Sequence, residues 1–237
     1  MDAENKIVVS VREAVKLIRF NNPKKKNAID KTMYRSVTDI LNQTAVDNEI
    51  SMVVLTGTDG FYSSGNNFST SDMVDVNTLK DYVKAFIKFP KLLIAIVNGP
   101  AIGIAATTLA LCDYVFASES AYFYTPFTKL YITAEGGSTL TFPKILGQRK
   151  AAEMLLFNHK MTAKEALKCG FVNRVYTSEE LESKAWTKIM QFSQLPASSI
   201  LVTKNLLRRN DYVDLLKTNE VEMEVLKSII NQRSSKL

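Results

Sequence analysis

Leu92-Leu93-Ile94-Ala95-Ile96-Val97-Asn98-Gly99-Pro100-Ala101-Ile102-Gly103-Ile104 reads as a strand, a small-residue turn and the start of a helix. Its first six residues are all apolar, as expected of a short strand buried on both faces. Gly99 and Pro100 end that strand. The chain then continues as Ile104-Ala105-Ala106-Thr107-Thr108-Leu109-Ala110-Leu111, a compact apolar helix. The first N–H groups of a helix lack intrahelical acceptors and carry the positive end of its dipole. Upstream, Met52-Val53-Val54-Leu55-Thr56 leads past Gly57 and Gly60 into Ser63-Ser64-Gly65-Asn66-Asn67-Phe68, which repeats the pattern. Glycine serves where the backbone takes positive φ or lets a ligand approach closely. Gly65 and Gly103 therefore sit where a carbonyl can reach main-chain donors, with Asn66 and Ile104 supplying the N–H groups. Two such donors aimed at one point would stabilise an oxyanion. Taken singly, each turn is also an ordinary joint of an α/β protein.

Further strand-like runs at 7–11, 15–20, 114–117 and 122–124 alternate with helical segments at 31–45 and 79–88. This order indicates an α/β fold rather than a helical bundle. Asp30 is placed to cap the helix that follows it. Beyond Gly147 the pattern is mostly helical, with candidates at 149–157, 163–168, 179–193, 197–209 and 212–230. Val213, Leu216, Val221, Val225, Leu226 and Ile229 form an approximate stripe on the last of these.

Composition sets bounds on function. With 237 residues, 46% of them hydrophobic and 23% charged, the chain has the makings of a globular fold with a sizeable core. No run of about 18 apolar residues is present, so no membrane span is expected. The polar start Met1-Asp2-Ala3-Glu4-Asn5 argues against a secretory or transit signal. Cys112 and Cys169 are isolated, which indicates neither a disulfide framework nor a zinc site. The net charge of +6 is dispersed apart from Lys24-Lys25-Lys26 and Arg208-Arg209. No aromatic residues interleave with these clusters, so nucleic acid is not an expected partner. The lysine run reads first as a solvated face.

Two side chains merit weighing as catalysts. His159, the single histidine, lies in Phe157-Asn158-His159-Lys160-Met161 without a nucleophile turn nearby, and reads as a surface or structural residue. A multi-histidine metal site is excluded, and no metal is expected. Glu135, in Tyr131-Ile132-Thr133-Ala134-Glu135-Gly136-Gly137-Ser138, stands between an apolar-rich run and two glycines. From the residues alone it is either an acid near the start of a helix or an acid–base catalyst.

Over nearly its whole length the chain resembles the enoyl-CoA hydratase/isomerase (crotonase) superfamily. The matching pieces are Asn22-Pro23-Lys24-Lys25-Lys26-Asn27-Ala28-Ile29, the two glycine turns, Cys112-Asp113-Tyr114-Val115, Thr162-Ala163-Lys164-Glu165-Ala166 and Gly170-Phe171-Val172. Within the superfamily it is most similar to the peroxisomal 3,2-enoyl-CoA isomerases, through Asn98 to Gly103, Thr125-Pro126-Phe127 and Glu135-Gly136-Gly137. The resemblance implies a crotonase-like spiral of β-β-α units over residues 1–194. It also implies a C-terminal helical region over 195–237 that packs over the site and forms homotrimers or hexamers. Glu135 is implied as the base, Asn66 and Ile104 as the oxyanion hole. Ser64, Gly65, Asn67, Phe68, Gly103 and Phe127 are then expected around the acyl-CoA thioester. Lys24, Lys25 and Lys26 become candidates for the coenzyme A phosphates. No cofactor is expected, because coenzyme A is part of the substrate.

The implied reaction is a 1,3-proton shift that moves a 3-cis or 3-trans double bond to 2-trans. Hydratases of the superfamily hold a water between two glutamates. Alignment on the Asn98-Gly99 turn puts Thr107 at the first of those positions, and ungapped counting puts Phe127 at the second, so strong hydration is not expected. Asn67 stands where many relatives have Asp. The polar segment 68–76 is expected to form a loop over the acyl pocket. Ser235-Lys236-Leu237 matches the address read by the peroxisomal import receptor, which predicts the peroxisomal matrix. Two other readings compete. A non-catalytic acyl-CoA-binding scaffold would keep the fold without the chemistry, and a dienoyl-CoA isomerase would need further acids in the pocket.

Overall fold

The computed structural model describes residues 5–67 and 74–234. Phe68, most of the expected loop, and Ser235, Lys236 and Leu237 lie outside the described residues.

The chain opens with a hairpin of β1 (Ile7–Arg12) and β2 (Val15–Phe20), followed by α1 (Lys31–Val46). Asp30 caps α1 as expected: its Oδ1 accepts the Met33 N–H at 3.0 Å, and its other oxygen pairs with Lys6 at 2.6 Å. Two strand–helix steps follow, β3 (Met52–Gly57) with α2 (Val76–Lys88), and β4 (Leu92–Val97) with β5 (Ala101–Ile102) and α3 (Ile104–Thr107). The helix after Gly103 is α-helical for one turn only and tightens to a 3-10 turn over Thr108–Leu111. Next come β6 (Tyr114–Ser118), β7 (Tyr122–Tyr124), α4 (Ser138–Leu146) and α5 (Gln148–Leu155). The chain then runs through β8 (Lys160–Thr162), α6 (Ala163–Lys168) and β9 (Arg174–Tyr176). It closes with α7 (Leu181–Ser193), α8 (Ala197–Arg209) and α9 (Tyr212–Ser234).

Six strands form one sheet in the order β1-β2-β3-β4-β6-β9, parallel except for the β1–β2 hairpin. A small sheet, β5-β7-β8, stands beside it. The apolar runs of the central strands follow from burial on both faces. Val53, Leu55, Leu93, Ala95 and Val97 face the main core with α1 and α2, while Met52, Val54, Ile94 and Ile96 pack against Leu181, Ala185 and Ile189 of α7. Each fully buried valine, leucine, isoleucine or methionine among them contributes about 1.5–3 kcal/mol.

Several of the sequence pieces have structural duties. Asn27 is fully buried at φ +56°, and its amide donates to the carbonyls of Thr58 at 3.0 Å and Phe61 at 2.7 Å. Asp113 accepts the Leu93 N–H at 2.8 Å and anchors α8 through Lys204 at 2.6 Å and Arg208 at 2.8 Å. Thr162 and Glu165 form a capping box at the head of α6, and His159 Nε2 lies 3.0 Å from Glu165 Oε1. These bonds, led by the Thr162 N–H, hold the Glu165 carboxyl down at about 2. His159 thus has the structural role expected of it. Among the described residues no helix is long and apolar enough to cross a membrane.

Candidate active site

The two glycine turns meet. The Ile102 N–H donates to the Ser63 carbonyl at 3.0 Å, and Ser63 bridges to Ala101 in parallel register. Gly65 has φ +82°, and a Cβ there would lie 2.5 Å from the Ile102 carbonyl oxygen and 3.7 Å from Gly103 Cα. No other residue fits this approach. The segment 26–29 braces the first turn from the other side. Ser64 N–H donates to the Lys26 carbonyl at 3.0 Å, Ile29 N–H to the Gly65 carbonyl at 2.8 Å, and Asn67 N–H to the Ile29 carbonyl at 3.0 Å.

These bonds leave out the N–H groups of Asn66 and Ile104. Ile104 is the first residue of α3, where an N–H has no intrahelical acceptor. Gly103 before it takes φ +59° and ψ −127°, a conformation open to glycine, with open space where a Cβ would be.

Glu135 is completely buried. Its Oε1 accepts the Asn66 amide at 3.2 Å, and its Oε2 has no hydrogen-bond partner among the described residues. The buried Tyr34 hydroxyl of α1 donates to the Asn66 Oδ1, which orients the amide so that its NH₂ faces the carboxylate. The Tyr34 ring packs edge-on against Tyr82 of α2 at 4.8 Å. Burial pushes the Glu135 carboxyl up to about 8, the nearby Glu222 carboxylate adds to this, and the Asn66 bond opposes it. Burial likewise pushes the Tyr34 hydroxyl well above its ordinary range, so it remains a donor.

Gly136 joins Glu135 to the second turn. A Cβ there would lie 2.2 Å from Thr107 Oγ1 and 3.2 Å from Ile104 Cδ1, so Glu135, Thr107 and the Ile104 turn occupy one place. Thr107 is fully buried, its hydroxyl donating to the Ile104 carbonyl at 3.2 Å. Phe127 is also buried and packs in the main core. Lys24, Lys25 and Lys26 are exposed on the short 3-10 turn and its cap, where Ser64 Oγ reaches the Lys25 carbonyl at 3.2 Å. The site residues Asn66, Ile104 and Glu135 are therefore brought together, with Gly65, Gly103, Ser64 and Asn67 around them.

One participant is absent from the sequence reading. Glu222 of α9 is 4% exposed and receives the Gly137 N–H at 2.7 Å and the Thr139 N–H at 3.0 Å. Its place is signalled by the buried positions of α9, Leu215, Asn219, Glu222, Met223 and Leu226, which follow helical spacing with polar groups among them. The expected stripe is corrected accordingly: Val213, Val221 and Val225 are exposed. The helix turns by 3.6 residues, and the face carrying Asn219 and Glu222 is the one held against α2 and α4.

This fold and this pairing of glycine turns agree with the sequence comparison, in which the family described as enoyl-CoA hydratase/isomerase matches residues 10–237; the chain belongs to that family. It is 42% identical over 226 residues to "Enoyl-CoA delta isomerase 3, peroxisomal" of Mus musculus, covering 91% of this chain and 71% of the mouse protein. It is 40% identical over 232 residues to "Enoyl-CoA delta isomerase 2" of Rattus norvegicus, covering 94% of this chain and 59% of that relative. The chain thus spans less than two thirds of the rat protein's length. A crystal structure of an enoyl-CoA hydratase/isomerase from Pseudoalteromonas atlantica superposes with a TM-score of 0.91 at 28% identity, over 95% of this chain and 92% of that one.

Proposed function

We propose that this chain is a 3,2-enoyl-CoA isomerase. The observation that carries the reading is a buried carboxylate with one oxygen unpartnered among the described residues, set beside two main-chain N–H groups, with Thr107 and not an acid packed against its glycine turn. Ionised Glu135 removes a proton from C2 of a 3-enoyl-CoA and returns it to C4, giving the 2-trans thioester. The negative charge that develops passes to the thioester oxygen as a dienolate, where the Asn66 and Ile104 N–H groups receive it. Each such donor contributes about 10²–10³ in rate, and a positioned base about 10²–10⁴. A raised pKa makes Glu135 a stronger base towards carbon once ionised.

Hydration would need a second acid–base group at the Thr107 position, and threonine does not supply one. The isomerase names of the mouse and rat relatives support the same choice. No cofactor enters the reaction. The exposed Lys24, Lys25 and Lys26 beside Ser64 suit the coenzyme A phosphates, and the buried Phe127 suits the apolar surroundings of the acyl chain. Exposed Val202, Leu206 and Leu207 on α8 support a homotrimer or hexamer, which light scattering of the purified protein tests. The peroxisomal matrix and capture by the import receptor are supported by Ser235-Lys236-Leu237 and by the mouse relative's name. A fluorescent fusion with and without the tripeptide tests that location.

The activity test supplies purified protein with 3-enoyl-CoA and, separately, with 2-enoyl-CoA. Formation of the conjugated thioester from the first, much faster than hydration of the second, is the expected result. Coenzyme A binding without turnover would instead establish a scaffold, and predominant hydration would overturn the isomerase assignment.

A further inference from the structure

α9 carries a carboxylate into the interior at a point where the chain offers three donors. Glu222 Oε2 accepts the Gly137 N–H at 2.7 Å, and Oε1 accepts the Thr139 N–H at 3.0 Å and the Thr139 hydroxyl at 2.7 Å. These donors open α4, whose dipole also favours a negative charge there. Burying a carboxylate is costly, and charge-assisted bonds of this kind are what offset it. Only Gly136 separates Gly137 from Glu135. Gly136 and Gly137 have φ of +77° and +73°, so the turn that carries Glu135 is built from residues with little intrinsic preference for one conformation. α9 is fixed in register on its other side, where the Asn219 amide donates to the Lys80 carbonyl of α2 at 3.0 Å and Glu220 pairs with Lys80 at 2.9 Å.

We propose that Glu222 is a positioning residue for the proton shift: by gripping the Gly137 and Thr139 donors it fixes the Glu135-Gly136-Gly137 turn and aims the Glu135 carboxylate. The inference rests on Glu135 as the base. It also makes the site depend on the seating of α9, since the distant helix and the catalytic turn share one carboxylate.

The electrostatics point the same way. Among the described residues, the groups facing Glu135 are the Asn66 amide, the Tyr34 hydroxyl of α1 with Tyr82 of α2 behind it, and Glu222 of α9. Of these, Glu222 carries the carboxylate that adds to the upward push of burial on Glu135. Its own carboxyl is raised by burial, against which the Thr139 and Gly137 bonds act.

The test compares wild type with Glu222→Gln in full-length protein, measuring kcat, KM and the pH dependence of kcat for 3-enoyl-CoA isomerisation. The expected result is a kcat lower by about ten-fold or more, as for a misaimed catalytic group, with KM within about two-fold and the acid limb of the profile moved to lower pH. A merely structural role would lower thermal stability and leave the acid limb in place, and that outcome overturns the proposal. Thr139→Val, which removes one of the three bonds and keeps the charge, is the second variant should Glu222→Gln fail to fold. It is expected to lower kcat about three-fold, within the range of one weakened contact, and an unchanged kcat in it also overturns the proposal. Glu135→Gln is assayed alongside. If it retains full turnover, the choice of base has failed. If it is inactive while Glu222→Gln keeps the wild-type rate and profile, the inference about Glu222 alone has failed.

Discussion

Replacing Glu135 by Gln is expected to make the free protein more stable above neutral pH, because the fold holds this carboxyl at about 8 against an ordinary 4.5. The sign follows from linkage. A group whose folded pKa is raised contributes stability that is fully present below the unfolded pKa and is lost as pH rises through the folded one. At about 1.4 kcal/mol per pH unit, moving from 4.5 to about 8 corresponds to about 5 kcal/mol when Glu135 is fully ionised. Water entering the site on ionisation reduces this, which gives an expected loss of about 2–5 kcal/mol. Gln is close in shape, keeps an oxygen for the Asn66 amide and does not titrate. Urea unfolding of both proteins at pH 5 and pH 8.5, with a common slope, isolates the difference from every other titrating group. Because about 0.8 kcal/mol of the effect is already present at pH 5, the Gln variant is expected to gain about 2–4 kcal/mol relative to wild type between the two pH values. Two stability curves that fall in parallel would refute the reasoning, since they would mean that the buried carboxyl titrates as an ordinary one.

Other substitutions test separate parts of the site. Gly136→Ala forces positive φ on a side-chain residue and drives a Cβ to 2.2 Å from Thr107 Oγ1; a loss of about 2–4 kcal/mol in urea unfolding is expected, with part recovered by adding Thr107→Ala. Tyr34→Phe removes the donor that orients Asn66, so turnover is expected to fall about ten-fold while stability changes by about 1 kcal/mol, read by steady-state kinetics and thermal melting. Asp113→Asn strips the buried Lys204 ammonium of its carboxylate and is expected to cost about 3–5 kcal/mol in chemical denaturation, partly restored in a double variant with Lys204→Met.

Strands β1 to β4, β6 and β7 were legible because each is a contiguous apolar or alternating run with a turn signal behind it. β5, β8 and β9 were not: they are as short as β7 or shorter, and where β7 is three consecutive aromatic residues, Ala101-Ile102, Lys160-Met161-Thr162 and Arg174-Val175-Tyr176 carry no such run of β-forming residues to mark them. α4 was anticipated only as a helix start near Glu135, and its extent was left unassigned, because it follows two glycines and contains Pro143, which local propensity counts against a helix. Its first turn is held instead by Glu222, a contact 85 residues away that no local window contains. The glycine turns marked Asn66 and Ile104 as candidate donors, because a turn of that type constrains its own backbone. Glu135 was recognised from its motif, whereas its burial and its link through Asn66 to Tyr34 exist only once α1, the first turn and the Glu-Gly-Gly turn are assembled. Glu222 looked in sequence like any acid of a long helix. The break that it and Asn219 make in the buried face of α9 was the available signal.

The most direct test of the central claim is the rate of 3-enoyl-CoA to 2-enoyl-CoA conversion by wild type and by Glu135→Gln, with coenzyme A thioester affinity measured for both. Rapid conversion by wild type, a loss of about 10²-fold or more in the variant and an affinity changed little are expected for a positioned base. Equal turnover in the two proteins would contradict the account, because the proton would then be moved by some other group.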